Sequence, residues 1–201
     1  MTLALPSGPQ PTAKRQAFIA TAVASAGLVA LIGGMLGMWL KFRAAAPTRT
    51  SSDGLYTIKD WLPEAIKIPE VAANTMLVGL IAGCVMAQWA VYSAKRADAR
   101  HRSAALGVCL VLEVATLNAQ LAVYNQMGIG VADGTYQSMF FAITSVIVLV
   151  LASAIGFTSV ALFRSLGGRN DDNSVVSAHA LYWYVLTAAF TAVWFVVYVQ
   201  K

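Results

Sequence analysis

Ser103-Ala-Ala-Leu-Gly-Val-Cys-Leu-Val-Leu-Glu113-Val-Ala-Thr-Leu-Asn-Ala-Gln120-Leu-Ala-Val-Tyr124 is apolar over the length of a bilayer and carries a single acid at its middle. As a helix rising about 1.5 Å per residue, it covers a hydrocarbon core about 30 Å thick. Ala17–Leu40, Val71–Tyr92, Tyr136–Phe163 and Ala178–Val199 have the same character. Backbone polar groups in hydrocarbon must be satisfied within their own segment, so each stretch predicts a spanning helix. The fold class is all-α membrane, with five transmembrane helices.

Composition agrees with these spans. The chain is 58% hydrophobic and 11% charged, with mean hydropathy +0.66, against a charged share of about 25% in soluble domains. Its net charge of +5 comes from residues in loops beside the spans, not from a basic face interleaved with aromatics. That distribution excludes a nucleic-acid partner and fits a membrane surface. Cys84 and Cys109 fall in the middle of different spans, with no Cys-x-x-Cys spacing and no histidine nearby. They read as small packing residues, and the chain itself is expected to hold no metal or cofactor. Lys14 and Arg15 precede the first span as in a signal peptide, but the apolar run is longer than an h-region and ends in Met-Trp-Leu-Lys-Phe-Arg43. It reads as a retained span.

Orientation follows from the loops. Lys14, Arg15, Lys95, Arg96, Arg100, Arg102, Arg164 and Arg169 lie on the side of the N-terminus. Lys41, Arg43, Arg49, Lys59, Lys67 and Lys201 lie on the other, most of them in one long loop that also holds Asp53, Asp60, Glu64 and Glu70. The compact basic loop 94–102 decides for a cytoplasmic N-terminus and an extracytoplasmic C-terminus. The expected organisation is a cytoplasmic tail over residues 1–15 and one transmembrane domain over 16–201, with an extracytoplasmic loop at 44–69. Within that loop Trp61 is expected at headgroup level as an interfacial anchor, and Pro69 introduces the second span. Ser174 and Ser177 are expected as N-caps of the last helix.

Glu113 is the leading candidate for chemistry. Thr116, Gln120 and Tyr124 follow it at helical spacing, so the four form one polar stripe. Two readings stand: a protonatable group that relays a proton or binds a cation, or a carboxyl hydrogen-bonded across helices to Asn118, Asn74 or Thr144. His179 is expected at the membrane interface at the start of the last span. His101 lies among Lys95, Arg96, Arg100 and Arg102, a cluster that reads as cytoplasmic retention and contact with anionic lipid headgroups. Gly33, Gly34 and Gly37 in the first span, and Gly79 and Gly83 in the second, mark faces for close helix approach. No phosphate loop, nucleophile elbow or haem-attachment motif is present, so independent catalysis is not expected.

Several local patterns resemble subunit III of the haem-copper (cytochrome c) oxidases, in its short five-helix bacterial form. Tyr182-Trp183-Tyr184, followed by Phe190, Trp194 and Tyr198, is similar to the family's terminal Tyr-Trp-His…Asp…Trp…Tyr helix. Tyr136, Ser138, Phe140 and Thr144 resemble the opening of its fourth span, and Arg164 falls where that helix leaves the bilayer. Gln120 and Tyr124 resemble its Gln-x-x-Glu-Tyr, and Pro69, Asn74, Thr75 and Leu77 its Pro…Asn-Thr-x-Leu. The resemblance runs over residues 16–200. It implies a splayed subunit III-like bundle without cofactors of its own, packed on a catalytic subunit I that carries haem and copper, beside other respiratory-complex subunits, with phospholipid bound.

Departures from the family pattern are equally plain. Ile147-Val148-Leu149-Val150-Leu151 stands where the family has His-Gly-x-His-Val, and Tyr184 and Thr187 replace its His and Asp. Leu28 and Val123 stand at acidic positions, whereas Glu113 is an acid where the pattern has none. The resemblance implies a non-catalytic component of a bacterial terminal oxidase in the cell membrane, supporting aerobic electron transport. Two alternatives remain: an accessory protein of a nitric-oxide reductase or another membrane redox complex, and a small free-standing transporter using Glu113.

Overall fold

The computed structural model describes residues 15–64, 66–169 and 173–200. Most of the tail, including Lys14, lies outside them, as do Asn170, Asp171, Asp172 and Lys201. Five helices follow in order: α1 (Gln16–Ala45), α2 (Glu70–Lys95), α3 (Ala99–Met127), α4 (Thr135–Leu166) and α5 (Asn173–Val193), the last continued by a π-helical segment, Trp194–Val199. Each is long and apolar enough to cross a membrane. All extend past the apolar stretch that predicts them, because the amphipathic side chains at their ends, such as Lys41, Arg43 and Lys95, sustain helix beyond the hydrocarbon.

Helix α5 is the hub. It packs against α1, α2 and α4, while α3 packs against α2 and α4. Sequence dictates the closest of these approaches. A Cβ added to Gly83 on α2 would lie 2.0 Å from the ring of Trp183 on α5. One added to Gly79 would lie 3.1 Å from Thr116 Oγ1 on α3. The Gly79/Gly83 face is thus used within the chain. By contrast, Gly33, Gly34 and Gly37 on α1 have no neighbouring atom within 4 Å of an added Cβ.

At one end of the bundle, the α1–α2 connection folds into a small antiparallel hairpin of β1 (Thr48–Thr50) and β2 (Thr57–Lys59), with Arg49 opposite Ile58. Lys59 Nζ donates to the carbonyls of Ala44 at 3.0 Å and Ala46 at 3.1 Å, satisfying exposed acceptors at the end of α1. Arg49 pairs with Asp60 at 3.0 Å and with Glu64. Trp61 departs from the expected interfacial anchor: it is 6% exposed, edge-on to Trp39 at 5.0 Å and to Tyr136 at 5.7 Å. The two rings from α1 and α4 offer it more apolar contact than a headgroup layer does. Arg43 Nη2 donates to the Gln200 carbonyl at this same end, so the C-terminal residues gather with the α1–α2 loop.

At the opposite end α2 turns into α3 through Ala97, at φ 56, and Asp98, which caps α3 by accepting from the His101 backbone N–H at 3.1 Å. The same carboxylate meets His101 Nδ1 at 2.6 Å. The backbone bond first, and then the imidazole, hold the Asp98 carboxyl below its usual range. A lowered folded-state value stabilises the fold above the unfolded value and is lost as pH falls through the folded one. The protection of amides in the first turn of α3, measured against their intrinsic exchange rates, is therefore expected to hold at neutral pH and to fall only in acid, and to be lower at neutral pH in Asp98→Ala. Ser174 and Ser177 are not N-caps: α5 begins at Asn173, and Ser177 Oγ turns back to the Asn173 carbonyl at 3.0 Å.

Candidate functional site

The stripe on α3 faces inward, with Glu113 and Gln120 fully buried and Thr116 3% exposed. Glu113, Gln120 and Tyr124 bond outward to other helices. Thr158 Oγ1, on α4, lies 2.5 Å from Glu113 Oε1 and 2.7 Å from His179 Nε2 on α5. Trp183 Nε1 donates to the same His179 nitrogen at 3.1 Å. One acid, one hydroxyl and one imidazole from three helices therefore meet in the core, all fully buried. Thr116 turns to its own helix, donating to the Leu112 carbonyl at 2.7 Å.

Two expectations change here. The partner of Glu113 is Thr158, not Asn118, Asn74 or Thr144. Asn118 is exposed on another face of α3 and Asn74 is held by α5. Thr144 lies fourteen residues before Thr158 along α4, a rise of about 21 Å. His179, expected at the interface, is fully buried because α5 starts six residues before it. Sequence reading places the start of the helix at the start of the apolar run, and so puts His179 too near the surface. Thr158 is missed because a lone threonine in an apolar run carries no signal until its depth is matched to Glu113.

The family-like positions are largely one another's partners. Tyr124 OH donates to Thr144 Oγ1 at 2.8 Å, joining α3 to α4. Tyr198 OH donates to Gln120 Oε1 at 3.2 Å, and Trp194 Nε1 to Asn74 Oδ1 at 2.9 Å, fastening the end of the last helix to α3 and α2. Tyr136 stacks on Phe140, with centroids 6.2 Å apart, and Phe140 meets Tyr198 edge-on at 5.9 Å. Tyr182 OH donates to the Val150 carbonyl at 2.9 Å, and Ser138 Oγ to that of Val131 at 2.7 Å. Thr75 bonds back within α2, whose N-cap is Pro69, and Arg164 stands in the last turn of α4. Where the resemblance lacks His and Asp, Tyr184 OH reaches Gln88 Oε1 at 2.8 Å and Thr187 Oγ1 lies 3.1 Å from Cys84 Sγ. These are neutral fastenings between α2 and α5.

Removing one member of such a pair strands the other. Tyr198→Phe leaves the fully buried Gln120 carbonyl without its donor, at an expected cost of about 1–3 kcal/mol. Adding Gln120→Leu should recover part of that loss in a detergent unfolding titration.

In the basic cluster, Lys95, Arg96 and Arg100 are exposed. Arg102 is not available to a headgroup in the way they are: it is 3% exposed, and its Nε donates to Ser165 Oγ at 2.9 Å in the α3–α4 seam. Ser103 Oγ lies 2.7 Å from the same hydroxyl, so Ser165 links the guanidinium to a second serine of α3. Among the described residues, no group of three or more His, Cys, Asp or Glu side chains is placed to hold a metal ion.

Five apolar helices fastened by short polar and aromatic contacts define a multi-pass helical membrane protein. Residues 57–201, from the second hairpin strand through the last helix, match the family model for cytochrome c oxidase subunit III. The chain belongs to that family, and so is a subunit III-like component of the haem-copper oxidases, whose family implies association with other oxidase subunits. Helix α1 lies outside the matched residues, so the resemblance over residues 16–200 is supported for its larger part. A comparison with curated proteins finds no match.

Proposed function

We propose that the chain is a non-catalytic component of a bacterial respiratory terminal oxidase, which stabilises a catalytic subunit I bearing the haem and copper. The family match over residues 57–201 carries this reading. The open small-residue face of α1 at Gly27, Gly33, Gly34 and Gly37 supports it, because helices associate in lipid through such faces. On this reading residues 16–201 form the transmembrane domain in the bacterial cell membrane, with the tail of residues 1–15 cytoplasmic and the C-terminus extracytoplasmic. The exposed Lys95, Arg96 and Arg100 then lie beside anionic phospholipid headgroups.

A second reading, an accessory protein of a nitric-oxide reductase or another membrane redox complex, is favoured by the neutral α2–α5 fastenings at Tyr184 and Thr187. The reduced-minus-oxidised absorption spectrum of the complex isolated through a tag on this chain decides between them. An oxidase spectrum with oxygen consumption supports the first reading, and nitric-oxide turnover without it supports the second. A free-standing transporter working through Glu113 is the third reading. It requires uptake by the chain alone that Glu113→Gln abolishes.

A further inference from the structure

The trio in the core, Glu113, Thr158 and His179, has more short contacts than protons to fill them in a single way. Thr158 has one hydroxyl proton and two close partners, Glu113 Oε1 at 2.5 Å and His179 Nε2 at 2.7 Å. If the hydroxyl donates to His179, the contact with Glu113 closes only when Glu113 carries a proton and donates it to Thr158. If the hydroxyl donates to Glu113, the other contact closes only when His179 Nε2 carries the proton. The two arrangements have the same atoms and the same net charge. They differ by one proton passed from Glu113 to Thr158 while Thr158 passes its own to His179: the Glu113 O–H breaks as a new Thr158 O–H forms, and the original Thr158 O–H breaks as the His179 Nε2–H forms.

We propose that these three side chains form a buried proton-holding site, in which one exchangeable proton is shared between Glu113 and His179 through the Thr158 hydroxyl. Trp183 sets its resting arrangement. An indole N–H only donates; it lies 3.1 Å from His179 Nε2 and also reaches the Glu113 carboxyl, and where it donates to Nε2 that nitrogen is unprotonated and Glu113 is the neutral acid. Low dielectric favours the same choice, because the shifted arrangement separates a carboxylate from an imidazolium in the dry core. His179 Nδ1 has no hydrogen-bond partner among the described residues, so the ring's polar contacts run through Nε2 alone.

No fixed charge faces the trio to pin the proton at either end. Beyond the first turn of α3, which carries Arg100, His101 and Arg102, the ionisable side chains between the helix ends are Cys84 and Tyr92 on α2, Cys109 and Tyr124 beside Glu113 on α3, none on α4 between Tyr136 and Arg164, and none on α1 before Lys41. The last helix adds Tyr182, Tyr184 and Tyr198. All are neutral at physiological pH in their ordinary forms. The site is built from this chain alone and does not depend on which complex the chain joins.

The test uses the full chain, in its complex or in mild detergent. The chain has two histidines, His101 and His179, so nitrogen-15 labelling of histidine gives two side chains to resolve, and His101→Gln assigns them. The expected result for wild type is a neutral His179 ring with Nε2 as acceptor, together with a protonated-carboxyl infrared band at neutral pH that Glu113→Gln removes. Thr158→Val should shift that band toward a free acid, with loss of the Nε2 hydrogen-bond signature, and Thr158→Ser should restore both. A wild-type ring protonated at Nε2 beside an ionised Glu113 overturns the proposal, as does a carboxyl band that ignores Thr158→Val. The wild-type measurements need no variant to fold.

Discussion

Trp183→Ala is expected to lower unfolding stability by about 3–5 kcal/mol, the range for truncating a fully buried tryptophan. The ring is fully buried at the centre of α5, covers Gly83 of α2 and donates to His179. Losing it opens a cavity at the hub and removes the N–H that orders the imidazole. Gly83→Ala attacks the same contact from the other side. Its Cβ falls within 2.0 Å of the ring, so α2 and α5 must part or the indole must rotate, at an expected cost of about 1–3 kcal/mol. The two changes are not additive: with the ring gone, the new methyl occupies part of the cavity, and Gly83→Ala should cost little or even help. A double-mutant cycle read by detergent unfolding checks this, and independent, additive costs contradict the proposed packing.

Trp39→Ala is expected to cost a similar amount, about 3–5 kcal/mol, but with a different footprint. Trp39 is fully buried at the end of α1 and holds Trp61 of the loop at 5.0 Å and Tyr136 of α4 at 5.3 Å. It is the main apolar fastening of α1 to the hairpin cap. Hydrogen exchange should therefore quicken in residues 40–64 and the first turn of α4, while the α3–α5 contacts around Glu113 keep their protection. Uniform acceleration over all five helices argues instead for a single cooperative unit that includes α1. The distinction matters because the family match covers α2 through α5 and not α1.

Much of this architecture is legible in the sequence because hydrocarbon imposes one rule on every span. Five apolar runs give five helices, and Gly79 and Gly83 announce the close approaches of α2. The polar stripe of α3 is equally readable from helical spacing. Its partners are not, since they depend on how far each helix is slid past its neighbour, and a span's apolar limits blur that register by a turn or more. The sequence places neither His179 nor Thr158 beside Glu113 for this reason: one stands at the start of an apolar run, and the other is a single hydroxyl among aliphatic residues. Arg102 and Trp61 fail for a related reason. A position near a span end predicts the membrane surface for both, yet Ser165 and the Trp39–Tyr136 pair draw them into the protein.

The family positions gain a physical meaning from the same contacts. Gln120 with Tyr198, Asn74 with Trp194 and Tyr124 with Thr144 are pairs across helix seams, so they serve the bundle's own geometry. The departures are consistent with this. Tyr184 and Thr187 replace titratable groups with neutral ones that still join α2 to α5. The acid and the imidazole that are fully buried in the core are Glu113 and His179.

Membership in a haem-bearing complex is the central claim, and mild-detergent isolation through a tag on this chain tests it most directly by the ratio of haem to chain across the size-exclusion peak. A constant ratio, with a catalytic oxidase subunit in the same fractions, is the expected result. A monodisperse peak of the chain alone, free of haem under conditions that leave the oxidase itself intact, contradicts it.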